Sequence, residues 1–195
     1  IGTFVMVGCY TLFYLVTTWI LSFGIGDPSK GLGLGIPYTD FLQLQLVSIF
    51  AFIAGIPVSS ILADKYGRKP ILAIVSALII VFGFTFTQFL AIDAATEASV
   101  LVFLTIGMFL MGLIFGPMSA VLPELFPTNV RYTGSGISYN VSSILGAAIA
   151  PFIATWLVAE VGVHAVGIYL AIISAISLIA VLCMKELSKQ DLNEV

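Results

Sequence analysis

Charged side chains are scarce in this chain: Asp, Glu, Lys and Arg make up 9% of its 195 residues, against 60% hydrophobic residues. Soluble proteins carry roughly a quarter charged residues, so this composition excludes an ordinary soluble domain. In a bilayer every backbone polar group must be satisfied within helices or a closed barrel, and long uncharged runs favour helices. The composition therefore predicts a polytopic membrane protein with the lipid bilayer as a partner and no nucleic acid.

Residue types that carry catalysis or bind metals are equally sparse. The single histidine is His164, and the two cysteines, Cys9 and Cys183, lie in separate apolar runs without nearby partner ligands. A membrane-embedded enzyme needs a clustered nucleophile, base or metal set. We therefore expect no enzymatic activity, no cofactor and no metal.

Six charge-free runs are long enough to cross a bilayer, which takes about 20 mostly apolar residues. They cover residues 1–23, 41–62, 71–91, 98–122, 132–158 and 162–184. The sequence therefore predicts an all-α membrane protein with six transmembrane helices, followed by a tail of residues 185–195. Because the chain begins with Ile1 and its first run has no basic flank typical of a signal peptide, we expect a longer polypeptide to precede it.

The basic residues are distributed unevenly between the two sides of these runs. Those on one side are Lys65, Arg68, Lys69, Arg131, Lys185 and Lys189, whereas only Lys30 lies on the other. The positive-inside bias places the first group, both termini and the tail in the cytoplasm, at a plasma membrane. The opposite side carries a segment rich in Gly and Pro, residues 24–37, which predicts a flexible external loop.

Small residues spaced for close helix packing occur in the fourth and fifth runs. Gly112 and Gly116 form a GxxxG pair, and Gly146 precedes Ala150 at the same spacing; each pair is followed by a proline. Such helices approach their neighbours closely and bend at the proline. We expect both helices to be buried.

Polar and aromatic side chains form a stripe along the first run. Thr3, Tyr10, Tyr14 and Thr17 lie at spacings that share one helical face. Polar groups facing hydrocarbon are costly, so the stripe should point into the bundle. No Asp, Glu, Lys or Arg lies inside any of the six runs, so an ion-coupling residue is expected outside this chain.

Two charged connections carry a family resemblance. The first reads Asp64-Lys65-Tyr66-Gly67-Arg68-Lys69 and resembles the cytoplasmic loop signature of the major facilitator superfamily, G-x-x-x-D-[RK]-x-G-R-[RK], with Ser60 in place of the leading Gly. The second reads Pro123-Glu124-Leu125-Phe126-Pro127-Thr128-Asn129-Val130-Arg131-Tyr132-Thr133-Gly134. It resembles the P-E-x-F-P-x-x-x-R-x-x-G segment of metabolite:proton symporters in that superfamily.

The resemblance implies that the chain is the carboxyl-terminal half of a transporter, with helices seven to twelve arranged as two inverted three-helix repeats, residues 1–91 and 98–184. It implies secondary active uptake, by alternating access, of a small polar metabolite or organic acid of the proline, betaine, shikimate or 2-oxoglutarate type. The implied partners are an amino-terminal six-helix half and a proton as coupling ion. The alternative is a six-span structural or accessory protein that dimerises through the GxxxG pair and transports nothing.

The resemblance also assigns roles to particular side chains. Helix seven lines the transport cavity in the family, so Tyr10 and Tyr14 are expected to contact substrate, together with the amides of Gln45 and Asn140. The alternative is that these four side chains only pack and form hydrogen bonds between helices.

A cytoplasmic gate is the second implied site. Asp64 is expected to face a helix amino terminus of the other half, where the dipole favours a carboxylate. Arg68 is expected to pair with Glu124, and Arg131 to join them in a latch that breaks as the halves rock. The alternatives are a turn whose charges only set topology, a solvated helix end at Glu124 and an interfacial anchor at Arg131.

Overall fold

A computed structural model of the chain describes residues 1–91 and 95–184. Nine α-helices lie within these ranges: α1 (Gly2–Tyr14), α2 (Ile20–Ile25), α3 (Tyr38–Tyr66), α4 (Arg68–Gly83), α5 (Phe86–Leu90), α6 (Glu97–Glu124), α7 (Arg131–Ser143), α8 (Ile149–Glu160) and α9 (Val163–Cys183). A π-turn, Leu15–Trp19, joins α1 to α2, and a second, Ile144–Ala148, joins α7 to α8. No strand occurs in the described ranges, and the predicted all-α membrane fold is confirmed.

Five helical stretches are long and apolar enough to cross a membrane: Gly2–Ile25, Tyr38–Tyr66, Glu97–Glu124, Arg131–Glu160 and Val163–Cys183. The third predicted crossing, residues 71–91, is instead two helices, α4 and α5, separated at Phe84 and Thr85. The Thr85 hydroxyl donates to the carbonyl of Phe82 at 2.7 Å at this break. The predicted tail, 185–195, lies outside the described residues.

The centre of the bundle is formed by α1 and α6. Val5 and Leu12 of α1, Val16 of the π-turn that follows it, and Val100 and Leu104 of α6 are all completely buried. An aromatic cluster closes one end of this core, with Phe103 of α6 stacked on Phe82 at 4.8 Å and edge-on to Phe86 at 4.8 Å between ring centroids. These two helices therefore position the elements around them.

The fifth predicted run is less buried than expected. Its inner face is close to α1, because Gly146 lies against the backbone of Tyr10 and Thr11. Its outer face leaves Phe152 and Trp156 exposed, at 80% and 61%. The glycine permits close approach on one side only, so the expectation of a fully buried helix is corrected: α7 and α8 are half-exposed.

The most extensive helix crossing joins α3 to α6. A methyl group on Gly55 or on Gly112 would come within 3.0 Å of the Cα atom of the other glycine. One turn along, Gly116 lies against Ser59, whose hydroxyl donates to the carbonyl of Gly112 at 3.4 Å. The GxxxG pair is thus used inside the chain, which removes the feature on which the dimerising alternative depended.

The glycine-rich segment 24–37 forms a compact loop where a flexible one was expected. The N–H of Leu34 donates to the carbonyl of Phe23 at 3.0 Å, and that of Ile36 donates to Gly24 at 2.9 Å. Gly35 adopts a φ of +69°, a left-handed conformation that glycine accepts without a steric penalty. The glycines therefore supply the tight turns of a hydrogen-bonded loop.

Candidate functional site

The charged turn between α3 and α4, which carries Asp64, Lys65, Arg68 and Lys69, is organised by Gly67. This residue has φ +100° and ψ 152°, a backbone conformation that side chains rarely allow. The resulting sharp turn places Arg68 at the first position of α4, beside the end of α6. There its guanidinium forms an ion pair with Glu124, so the predicted contact is present.

The Arg68–Glu124 pair is largely shielded from water, since its side chains are 21% and 18% exposed. Glu124 is the last residue of α6, where the helix dipole disfavours a carboxylate, and its Oε2 atom is buried without a hydrogen bond in the described structure. The carboxylate therefore depends on Arg68 for compensation. Stranding one partner of a fully buried pair costs about 3–5 kcal/mol, and this partly exposed pair should approach the lower part of that range.

The other two predicted latch residues do not reach this pair. Asp64 lies in the last turn of α3, is exposed and forms no ion pair with any described residue. Arg131 starts α7, and its Nε donates to the carbonyl of Phe126 at 3.3 Å. Arg131 thus closes its own connection between α6 and α7, and the structure brings together only Arg68 and Glu124 of the four.

A cavity of about 760 Å³ lies between the second half of α6 and most of the length of α7. Met6 of α1 and Phe115 and Met118 of α6 supply much of its apolar lining. Its polar lining consists of Ser119, Tyr132, Thr133, Ser135, Tyr139 and Asn140. No acidic or basic side chain is present among these described lining residues, so the α6–α7 cavity offers hydroxyls, one amide and aromatic rings.

Of the four predicted substrate residues, one lines this cavity and a second lies behind its wall. Asn140 lines it, and its Nδ2 donates to the carbonyl of Gly136 at 2.8 Å, which leaves the acceptor oxygen of the amide outside that hydrogen bond. Tyr10 lies behind the wall: it is 8% exposed, and its ring meets that of Tyr139 edge-on at 5.4 Å between centroids. Tyr10 therefore supports a lining side chain and does not itself form the surface.

The other two predicted residues lie elsewhere. Gln45 donates from Nε2 to the carbonyl of Thr17 at 2.9 Å, inside the first π-turn. A π-turn shifts the hydrogen-bond register of a helix, and the amide of α3 satisfies a carbonyl in the shifted segment. Tyr14 is half-buried and packs edge-on against Phe13 at 5.1 Å. Neither lines the α6–α7 cavity, and for Gln45 the alternative of an interhelical hydrogen bond describes the geometry.

The sequence reasoning missed Tyr132 and Tyr139. A signal was present, because Tyr132, Ser135, Tyr139 and Asn140 recur at spacings of three, four and one, which places them along one face of α7. The first half of this run is also the least apolar part of any predicted crossing, with five serines or threonines within thirteen residues, Arg131–Ser143, besides its two tyrosines and one asparagine. Polar side chains are costly against hydrocarbon, so this face of α7 is expected to point away from lipid.

These features together define a helical integral membrane protein with a cavity of mixed apolar and uncharged polar lining beside a charged turn. Residues 1–193 match the family model of the Major Facilitator Superfamily, and the chain belongs to that superfamily. The family predicted from the two charged connections is thereby confirmed.

The relatives found by sequence comparison are named as transport proteins. The chain is 45% identical over 193 residues to the inner membrane metabolite transport protein YhjE of Escherichia coli (strain K12), covering 98% of this chain and 43% of that protein. It is 31% identical over 138 residues to the glycine betaine/proline/ectoine/pipecolic acid transporter OusA of Dickeya dadantii (strain 3937), covering 70% of this chain and 27% of that protein. No solved structure matches the chain. The chain thus spans less than half the length of these relatives.

Proposed function

We propose that this chain is the carboxyl-terminal six-helix half of a secondary active transporter that takes up a small polar metabolite or organic acid by alternating access, with a proton as coupling ion. Membership of the superfamily supports this proposal, as does the metabolite transport protein to which 98% of the chain aligns while covering 43% of that relative. The partner is then an amino-terminal half of the same polypeptide, which packs on this one across the transport path.

The observation that carries the proposal is that the cavity and the ion pair share the end of α6. Pro123 lines the α6–α7 cavity, and the next residue, Glu124, holds Arg68. A movement that separates Glu124 from the charged turn would therefore also move a wall of the cavity. This coupling is what a gate requires, and the exposed carboxylate of Asp64 is available for a helix end of the other half.

The lining defines which part of a substrate this half can bind. Hydroxyls and the Asn140 amide form hydrogen bonds to polar groups, while Tyr139, Tyr132 and Phe115 supply aromatic faces. A substrate carboxylate needs a cationic partner to leave water, and the described lining has none. The counter-charge for an organic acid, and the group that carries the coupling proton, are therefore assigned to the amino-terminal half.

Uptake by the full-length protein in liposomes tests this function. Radiolabelled proline, glycine betaine and 2-oxoglutarate are suitable probes, and uptake of at least one should rise with an inward proton gradient and collapse with a protonophore. Asn140→Ala should raise KM about tenfold, the loss of one good hydrogen bond. Gln88→Ala removes a comparable amide from α5, outside the cavity lining, and should leave KM unchanged. A wild-type KM in Asn140→Ala would place the substrate site elsewhere.

In the proposed orientation, the protein lies in the plasma membrane, with both termini of this chain and the charged turn in the cytoplasm. It is motivated by the excess of Lys and Arg on that side of the runs. Cysteines introduced at Ser29, in the loop before α3, and at Ser188, beyond the described residues, should react with an impermeant thiol reagent from opposite sides of the membrane. Labelling of both from one side would contradict this orientation.

A further inference from the structure

Two consecutive cations begin α4. They lie at the amino-terminal end of this helix, where the helix dipole disfavours positive charge. Arg68 and Lys69 follow Gly67, and the first turn of α4 contains no acidic residue. The exposed amide groups of that turn carry partial positive charge, so the helix itself gives neither cation a favourable site. Their placement is explained by partners on other helices, and the structure provides a different one for each.

Arg68 reaches Glu124 at the end of α6, whereas Lys69 reaches the end of α9. The Nζ of Lys69 donates to the carbonyl oxygen of Met184 at 2.7 Å. Met184 closes α9, because its N–H is bonded to the carbonyls of Ala180 and Val181, and its side chain is 4% exposed. The acceptor therefore lies at the negative end of a helix dipole, where a hydrogen bond from an ammonium group is strengthened.

The far ends of the same two helices are also in contact. Gly83, the last residue of α4, packs against Gly167 of α9 so closely that neither position has room for a side chain. Helices α4 and α9 are thus joined at both ends, by backbone contact at one and by Lys69 at the other. The position of the first turn of α4 is consequently fixed relative to α9.

We infer that Lys69 is a positioning residue: it fastens the end of α9 to the charged turn and so fixes the place from which Arg68 reaches Glu124. One turn of α4 then joins the ends of three helices, and its two cations have separate tasks. The effect on uptake rests on the proposed transport function, whereas the contact with α9 can be tested without it.

Met184 provides a reporter, since Lys69 binds its backbone and leaves its buried side chain replaceable. The full-length protein is prepared with Met184→Cys and Cys183→Ser, and any cysteines outside this chain are replaced. The new cysteine is then labelled with N-ethylmaleimide. Cys9 is buried and is present in all variants, so it does not affect the comparison. Adding Lys69→Met, which keeps the side-chain length but removes the donor, should speed labelling about tenfold and lower uptake by a similar factor. Lys69→Arg should largely restore both, because a guanidinium also donates to a carbonyl.

Lys65→Met is the matched control. It removes the same charge from the same connection, but the Lys65 ammonium lies 5.2 Å from the centre of the Tyr66 ring. Labelling in this variant should equal that of the parent protein. Unchanged labelling in Lys69→Met would overturn the inference, and faster labelling with full uptake would overturn the positioning of Arg68. If the parent protein transports nothing, the proposed function fails while the labelling series still decides the contact.

Discussion

We expect Arg68→Ala to abolish uptake by the full-length transporter while leaving its expression and membrane insertion largely intact. The substitution strands the carboxylate of Glu124, which is 18% exposed and lies against an unfavourable helix dipole. Under the proposed function, we expect the closed state to lose its contact between α4 and α6, so that the protein is held open on the side of the charged turn. Uptake in whole cells, normalised to protein in the membrane, measures the effect.

Conservative and neighbouring substitutions show whether the pair itself is responsible. Arg68→Lys should restore little uptake, because an ammonium group cannot reproduce the planar, two-pronged contact of a guanidinium. Arg131→Ala removes the same type of side chain from the connection between α6 and α7, where it binds only the carbonyl of Phe126 among the described residues, and should reduce uptake less. Uptake at the wild-type rate in Arg68→Ala would leave the charged turn as a signal for membrane topology alone.

Gly112→Val should prevent the protein from reaching its folded state. A side chain at this position would meet the Cα of Gly55 at 3.0 Å and the carbonyl of Phe52 more closely still. These are backbone atoms of a neighbouring helix, so the crossing of α3 and α6 has to separate. Overpacking of a core costs about 1–3 kcal/mol, and separation of the longest crossing should exceed that range. Size-exclusion chromatography in mild detergent, with a thermal unfolding midpoint, measures the loss.

A second glycine provides the comparison for this result. Gly136 of α7 has no atom within 4 Å of the place where a side chain would begin. Gly136→Val therefore makes the same change in helix propensity without the collision, and it should elute as folded protein. Gly55→Val should resemble Gly112→Val because it enters the same contact from the opposite helix. Equal behaviour of Gly112→Val and Gly136→Val would show that the α3–α6 contact does not limit stability.

The sequence predicted features that depend on local composition. Charge-free runs predicted the five helical stretches that are long and apolar enough to cross a membrane, and the family resemblance of the two charged connections implied the pair of Arg68 and Glu124 that the structure brings together. The family signature helped to predict this pair, because it contains both the glycine that makes the turn, at φ +100°, and the cations that follow that glycine. The position of such a turn depends on a few adjacent residues, which a sequence shows directly.

Features that depend on contacts between distant helices could not be predicted in this way. The break after Gly83 accompanies its contact with Gly167, which lies in another crossing. The sequence predicts that the Gln45 amide contacts substrate, yet this amide donates to the carbonyl of Thr17. Arg131 was assigned to the latch by its charge, but a nearby carbonyl in its own connection binds it. Gln45 and Arg131 each bind a backbone carbonyl in place of the partner that the sequence predicted.

The π-turn at Leu15–Trp19 changes the helical phase of everything that follows it. Each residue of an α-helix advances the side-chain direction by about 100°, and a π-turn accommodates one additional residue without a loop. Before the turn, Tyr10 faces Tyr139 of α7; at the last residue of the turn, Trp19 stacks on Phe86 of α5 at 6.3 Å between ring centroids. A stripe drawn with one period from Thr3 to Thr17 therefore crosses a change of register, and deletion of one residue within 15–19 would rotate α2 against its neighbours while leaving α1 in place.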